Sequence, residues 1–125
     1  MPLVLIADDD PLLRAILEHK LALAGYLVAL ATHGGEALEA VQASRPDAMV
    51  LDAMMPVVDG FEVLRRLKAS PELKAIPVVM LTALKGEGDI ISALKLGAAD
   101  YLPKPFNPDE LVARMLRIAP LGAPA

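Results

Sequence analysis

The 125-residue chain has no cysteine, which removes disulfides and thiolate chemistry from consideration. It has no tryptophan, and aromatic residues make up only 3 % of it, so its core must be aliphatic. It lacks a basic excess. The formal net charge of -4 argues against a nucleic-acid-binding face and against attachment to an anionic membrane surface. No apolar run approaches the roughly 20 residues needed to cross a bilayer. No signal peptide is visible, since Met1-Pro2 leads straight into the apolar run Leu3 to Ala7. A cytoplasmic protein is the expectation.

What is present suffices for one domain with a single core. Apolar residues make up 55 % of the chain, much of it Ala and Leu, and the mean hydropathy is +0.48. Five short apolar runs recur: Leu3 to Ala7, Tyr26 to Ala31, Ala48 to Leu51, Ile76 to Leu81, and Tyr101-Leu102. The first, third and fourth are nearly continuous, the pattern of strands buried on both faces.

Helical segments with legible ends lie between them. Asp10-Pro11 reads as N-cap and first helical residue, followed by a stripe of Leu13, Ile16, Leu17 and Leu21 that Gly25 stops. Gly35 to Ala43 forms a second helix, ending before Pro46. Asp59-Gly60 opens a third, with Val63, Leu64 and Leu67 inward. Glu87 to Leu96 forms a fourth, with Ile90, Ile91 and Leu94 inside and Gly97 as its C-cap. Asn107-Pro108-Asp109-Glu110 reads as a capping box with Pro at the first position, opening a fifth helix through Leu111, Met115 and Ile118. Five strand–helix alternations predict a parallel sheet covered on both faces. Residues 1–118 form the domain, and 119–125 read as a flexible C-terminal tail or a truncated linker.

In such a sheet, ligands bind at the carboxyl ends of the strands. The residues there are Asp8, Asp9 and Asp10 after the first strand, Asp52 after the third, Thr82 after the fourth and Lys104 after the fifth. Taken singly, each has a plain structural explanation: Asp10 caps a helix, Thr commonly ends strands, and lysines are usually solvated. Asp8 and Asp9 place like charges side by side, which is unfavourable unless a cation lies between them. A hard divalent ion such as Mg²⁺ suits a few carboxylate oxygens plus waters and phosphate oxygens, and Asp52 would complete a three-carboxylate pocket. Lys104 sits between two prolines in Leu102-Pro103-Lys104-Pro105-Phe106, and the Lys104–Pro105 bond is a candidate for the cis form.

By these residues the sequence resembles the receiver domains of two-component response regulators, from about Leu3 to Ile118. The segment Asp52-Ala-Met-Met-Pro-Val-Val-Asp-Gly60 matches the family's D-x-x-M-P-x-x-D-G pattern in full. Thr82 lies 30 residues beyond Asp52, and Lys104 lies 22 beyond Thr82, as the family requires. The resemblance implies a flavodoxin-like, doubly wound α/β fold with strand order 2-1-3-4-5 and five helices. It implies that Asp52 accepts a phosphoryl group from a phosphohistidine on a sensor histidine kinase or phosphotransfer protein. Asp8, Asp9, Asp52 and the Met54 backbone carbonyl would bind Mg²⁺ or Mn²⁺. Thr82, Ala83 and Lys104 would bind the phosphoryl oxygens, with Tyr101 as the aromatic switch. Met54 and Leu84 occupy the positions that tune dephosphorylation. The fourth helix, fifth strand and fifth helix would form the surface that changes, acting on a downstream protein or an output domain. The chain would be a monomer or a phosphorylation-dependent homodimer, and no enzyme beyond its own phosphorylation and dephosphorylation.

Two other readings compete. A phosphatase of the haloacid dehalogenase type also uses a strand-end Asp, Mg²⁺ and Lys. It needs a second Asp two residues after the nucleophile, where this chain has Met54. A flavodoxin-like binding module that is never phosphorylated is the other. Against a nucleotide site, there is no Walker loop, and Gly86-Glu87-Gly88 is too short for a dinucleotide fingerprint. His19 and His33 have no ligand-like spacing and read as solvated.

Overall fold

The continuous apolar runs become strands because residues with no polar alternate can only be buried on both faces. In the computed structural model, which describes residues 1–56, 58–83 and 87–121, the strands are β1 (Leu3–Ala7), β2 (Leu27–Ala31), β3 (Ala48–Asp52), β4 (Val78–Thr82) and β5 (Asp100–Pro103). The helices are α1 (Pro11–Ala24), α2 (Gly34–Ser44), α3 (Gly60–Ala69), α4 (Glu87–Lys95) and α5 (Pro108–Ile118). All neighbouring strands pair in parallel, in the order β2-β1-β3-β4-β5. This is the doubly wound flavodoxin-like order. Every residue of β3 and β4 is buried, whereas the edge strand β2 is half open.

Alternate strand residues divide the core into two layers. Val4, Ile6, Val50 and Leu81 face α1 and α5, meeting Leu17, Leu21, Leu111 and Met115. Leu5, Met49, Leu51 and Met80 face α2, α3 and α4, meeting Val41, Val63, Leu64 and Ala93. Side chains from both layers are fully buried, at roughly 1.5–3 kcal/mol for each large aliphatic one.

The helix ends are set locally. The Asp10 carboxylate accepts from the Leu12 and Leu13 N–H groups at 2.9 and 3.3 Å, and Gly25 closes α1 at φ 112°. Asp59 accepts from the Glu62 N–H at 2.9 Å. α2 begins one residue earlier than expected because His33 is its N-cap: its Nδ1 accepts from the Glu36 N–H at 3.1 Å, and Glu36 accepts in return from the Thr32 N–H at 2.8 Å. His33 is therefore a cap rather than a solvated residue, whereas His19 is exposed. Asn107 caps α5 through the Asp109 N–H at 2.9 Å. The reciprocal half of the expected capping box is replaced, since the Glu110 carboxylate pairs with Arg114 at 2.7 Å.

Two expectations about packing are corrected. Ile91 and Leu94 of α4 are 43 % and 49 % exposed, and Ala93 is the buried residue of that face, beside the partly buried Ile90 and Leu96. Bulk misleads on a short helix: α4 turns its small residue to the core and leaves two large ones half exposed. Ile16 of α1 is likewise 37 % exposed, at the margin of its stripe. Beyond α5, Ala119 is buried, and its carbonyl accepts from the Tyr26 hydroxyl at 2.6 Å.

Candidate phosphoryl and metal site

Strand register brings the polar residues together. Ala7 is paired with Leu51, so Asp8 and Asp52, one step further, leave neighbouring strands side by side. Asp52 pairs with Leu81 and Thr82 with Pro103, which places Thr82 and Lys104 along the same carboxyl edge. The Lys104 N–H donates to the Thr82 carbonyl at 2.7 Å, and the Lys104–Pro105 peptide is cis.

Asp8, Asp9 and Asp52 each present one carboxylate oxygen, and all three lie within 4.8 Å of one another. Asp8 is wholly buried, Asp52 is 3 % exposed, and Asp9 is open to solvent. The Lys104 Nζ lies 3.0 Å from one oxygen of Asp8 and 3.3 Å from Asp52 Oδ2, bridging the two buried acids. Asp52 Oδ1 accepts from the Met54 N–H at 3.1 Å. Burial pushes the Asp52 carboxyl up to about 6, with the charge of Asp8 adding to the rise; the Met54 N–H and Lys104 oppose it without cancelling it. Burial lowers the Lys104 ammonium, but its hydrogen bond to Asp8 and the charges of Asp52 and Asp8 outweigh this and hold it above its ordinary value. The site thus has a permanently charged lysine beside an acid that ionises late, and it carries more carboxylates than it has cations.

The loop after β3 must double back tightly under Asp52. A Cβ at Gly60 would overlap the Asp52 carbonyl and lie 2.7 Å from the Ala53 Cα, so only glycine fits. The Gly60 N–H donates to the Ala53 carbonyl at 2.9 Å, closing that turn. Here the D-G end of the sequence pattern has a steric reason.

The remaining residues singled out from sequence are less uniform. Thr82 is fully buried at the end of β4 and Ala83, next to it, is exposed. Tyr101 is 7 % exposed and belongs to the core layer facing α2, α3 and α4. The Met54 side chain is 57 % exposed beside Asp52. Leu84 lies outside the described residues. Two features escaped sequence reasoning. The Asp10 N–H donates to Asp8 Oδ1 at 2.9 Å, so the cap residue also orients the buried acid. Arg14 of α1 donates from its guanidinium to the Asp8 carbonyl at 2.7 Å. The one available signal for Arg14 was a basic residue one turn into the helix that follows the acidic run.

Comparison with known proteins gives the family. The model of the response regulator receiver domain matches residues 4–116. The response regulator MprA of Mycobacterium ulcerans (strain Agy99) is 46 % identical over 112 residues, covering 90 % of this chain and 47 % of its own. The chain therefore spans about half the length of the curated relatives it matches. Among solved structures, the receiver domain of Francisella response regulator 1452 superposes with a TM-score of 0.89 at 36 % identity, covering 94 % of this chain and 96 % of that one. The receiver domain of sensor histidine kinase PA1611 from Pseudomonas aeruginosa PAO1, which has a magnesium ion coordinated in its active site cleft, gives 0.83 at 33 % identity over 93 % and 95 %. With the sheet order, the acidic edge and the bridging lysine all in place, the chain belongs to the response regulator receiver domain family of two-component signalling.

Proposed function

We propose that Asp52 is a phosphoacceptor that works with a divalent cation. The observation that carries this reading is the cluster of three carboxylate oxygens within 4.8 Å at the sheet edge, with Lys104 bridging the two buried acids. The donor set fits a hard ion: all oxygens, more negative charge than Lys104 can balance, and one carboxylate open to water. Asp8, Asp9 and Asp52 would hold Mg²⁺ or Mn²⁺, with the Met54 backbone carbonyl as a fourth ligand. When bound, the ion neutralises the carboxylates and shares the charge of a phosphoryl oxygen.

The chain's own groups do the rest by position and charge. An Asp52 oxygen attacks phosphorus in line, and the phosphorus–nitrogen bond of the donor phosphohistidine breaks as the imidazole leaves. Lys104 transfers its attention from the Asp52 carboxylate to a phosphoryl oxygen, a short move for a flexible stem. The Thr82 hydroxyl and the Ala83 N–H donate to the others. Hydrolysis by an in-line water returns the free carboxylate and inorganic phosphate. Met54 and Leu84 shield that approach and lengthen the phosphoryl lifetime.

The new charge draws Thr82 toward it, and Tyr101, lodged in the core, stabilises the packing in which α4, β5 and α5 present their altered surface. The donor is a sensor histidine kinase or phosphotransfer protein, and the reader is a downstream protein or an output domain. Partner binding by a Tyr101→Ala protein should respond to phosphorylation less than the wild type does; equal responses would count against this switch.

Incubation with acetyl phosphate and Mg²⁺, followed by intact mass, tests the chemistry. The wild type should gain one phosphoryl group, and Asp52→Ala none. No gain in either protein would favour the binding-module reading.

A further inference from the structure

The three acids are not held alike. Asp8 is fixed on every side: its N–H donates to the Ala31 carbonyl at 3.2 Å, and its carboxylate takes the Asp10 N–H at 2.9 Å and the Lys104 ammonium at 3.0 Å. Asp52 is held by the Met54 N–H and Lys104. The Asp9 carboxylate is exposed and forms no hydrogen bond or ion pair with another described residue. It nonetheless stands within the same 4.8 Å cluster. Its place must therefore come from its backbone, through the Asp8–Asp9 peptide plane. That plane carries the carbonyl to which Arg14 donates at 2.7 Å.

We propose, building on the cation-dependent reading of the site, that Arg14 is a positioning residue: it clamps the Asp8–Asp9 peptide plane so that Asp9 meets the cation without an entropic search. The Arg14 backbone is itself anchored in the first turn of α1, where its N–H donates to the Asp10 carbonyl at 3.0 Å. The guanidinium is thus carried on a rigid element and reaches back to the loop that precedes it.

Charge and positioning predict opposite outcomes here, which makes the idea decidable. Arg14 carries a positive charge next to an acidic cluster. Removing that charge alone should strengthen the binding of a divalent cation. Removing the clamp should weaken it, because a partner that orients a ligand commonly contributes tenfold or more to metal affinity.

The test is an MgCl₂ titration of the whole chain followed by amide NMR, with wild type, Arg14→Met and Arg14→Lys side by side. Arg14→Met keeps the helix and the stem but loses both donor and charge. It should bind Mg²⁺ about tenfold more weakly than wild type, against the electrostatic trend. Arg14→Lys restores a donor and the charge, and should return to within about threefold of wild type. Unchanged or tighter binding by Arg14→Met would overturn the proposal, as would Arg14→Lys binding as weakly as Arg14→Met. A wild type that binds no Mg²⁺ would bring down the cation-dependent reading itself, and the proposal with it. A wild type that binds while Arg14→Met matches it brings down the proposal alone.

Discussion

Replacing Asp52 by Asn should make the cation-free protein more stable, and the gain should depend on pH. Asp52 is 3 % exposed, and its carboxyl is raised from 3.8 to about 6, first by burial. The folded state therefore holds this proton more tightly than the unfolded chain does, and the proton favours folding. That contribution is fully present below about pH 4 and is lost as the pH rises through about 6. Above that, the charged carboxylate destabilises the wild type by about 3 kcal/mol, from roughly two pKa units at about 1.4 kcal/mol each. At pH 5 roughly half of this remains. Asn keeps an oxygen for the Met54 N–H but turns an amide toward Lys104, so the net gain at pH 7.5 should be about 1–3 kcal/mol. Urea unfolding followed by far-ultraviolet circular dichroism reads this directly, the chain having no tryptophan for fluorescence. Excess Mg²⁺ should then stabilise the wild type through linkage and leave Asp52→Asn nearly unmoved, closing the gap. A variant no more stable than wild type at pH 7.5 without cation, or a difference that stays constant down to pH 5, would refute the account of Asp52.

Gly60→Ala should lower stability by about 3 kcal/mol, because the new methyl overlaps the Asp52 carbonyl and the loop must shift; thermal unfolding measures it. Leu81→Ala should cost about 2–5 kcal/mol in the same assay, while Leu94→Ala, half exposed on α4, should cost less than about 1. A Met54→Asn, Leu84→Glu protein should lose its phosphoryl group faster than wild type after acetyl phosphate is removed, as followed by intact mass; an unchanged lifetime would remove the shielding role.

Much of this molecule could be read from the chain alone, wherever the cause was local. Continuous apolar runs give strands buried on both faces, since no polar alternate offers a solvent side. Asp10, Asp59 and Asn107 cap helices because a short acceptor side chain reaches only the next turn's N–H groups. The spacing of Asp8, Asp9, Asp52, Thr82 and Lys104 pointed to one sheet edge because parallel strands with right-handed crossovers leave their carboxyl ends on the same side. Tertiary structure decided the rest. It turned Ala93 inward with Ile90 beside it and left Ile91 and Leu94 half exposed, a choice made by which face of α4 meets the sheet rather than by which residues are most apolar. It also separated three similar aspartates into a buried and bridged Asp8, a buried Asp52 that ionises late, and an open Asp9. Those differences arise from distances between segments far apart in the chain, and an acid's chemistry follows its surroundings more than its position in the sequence.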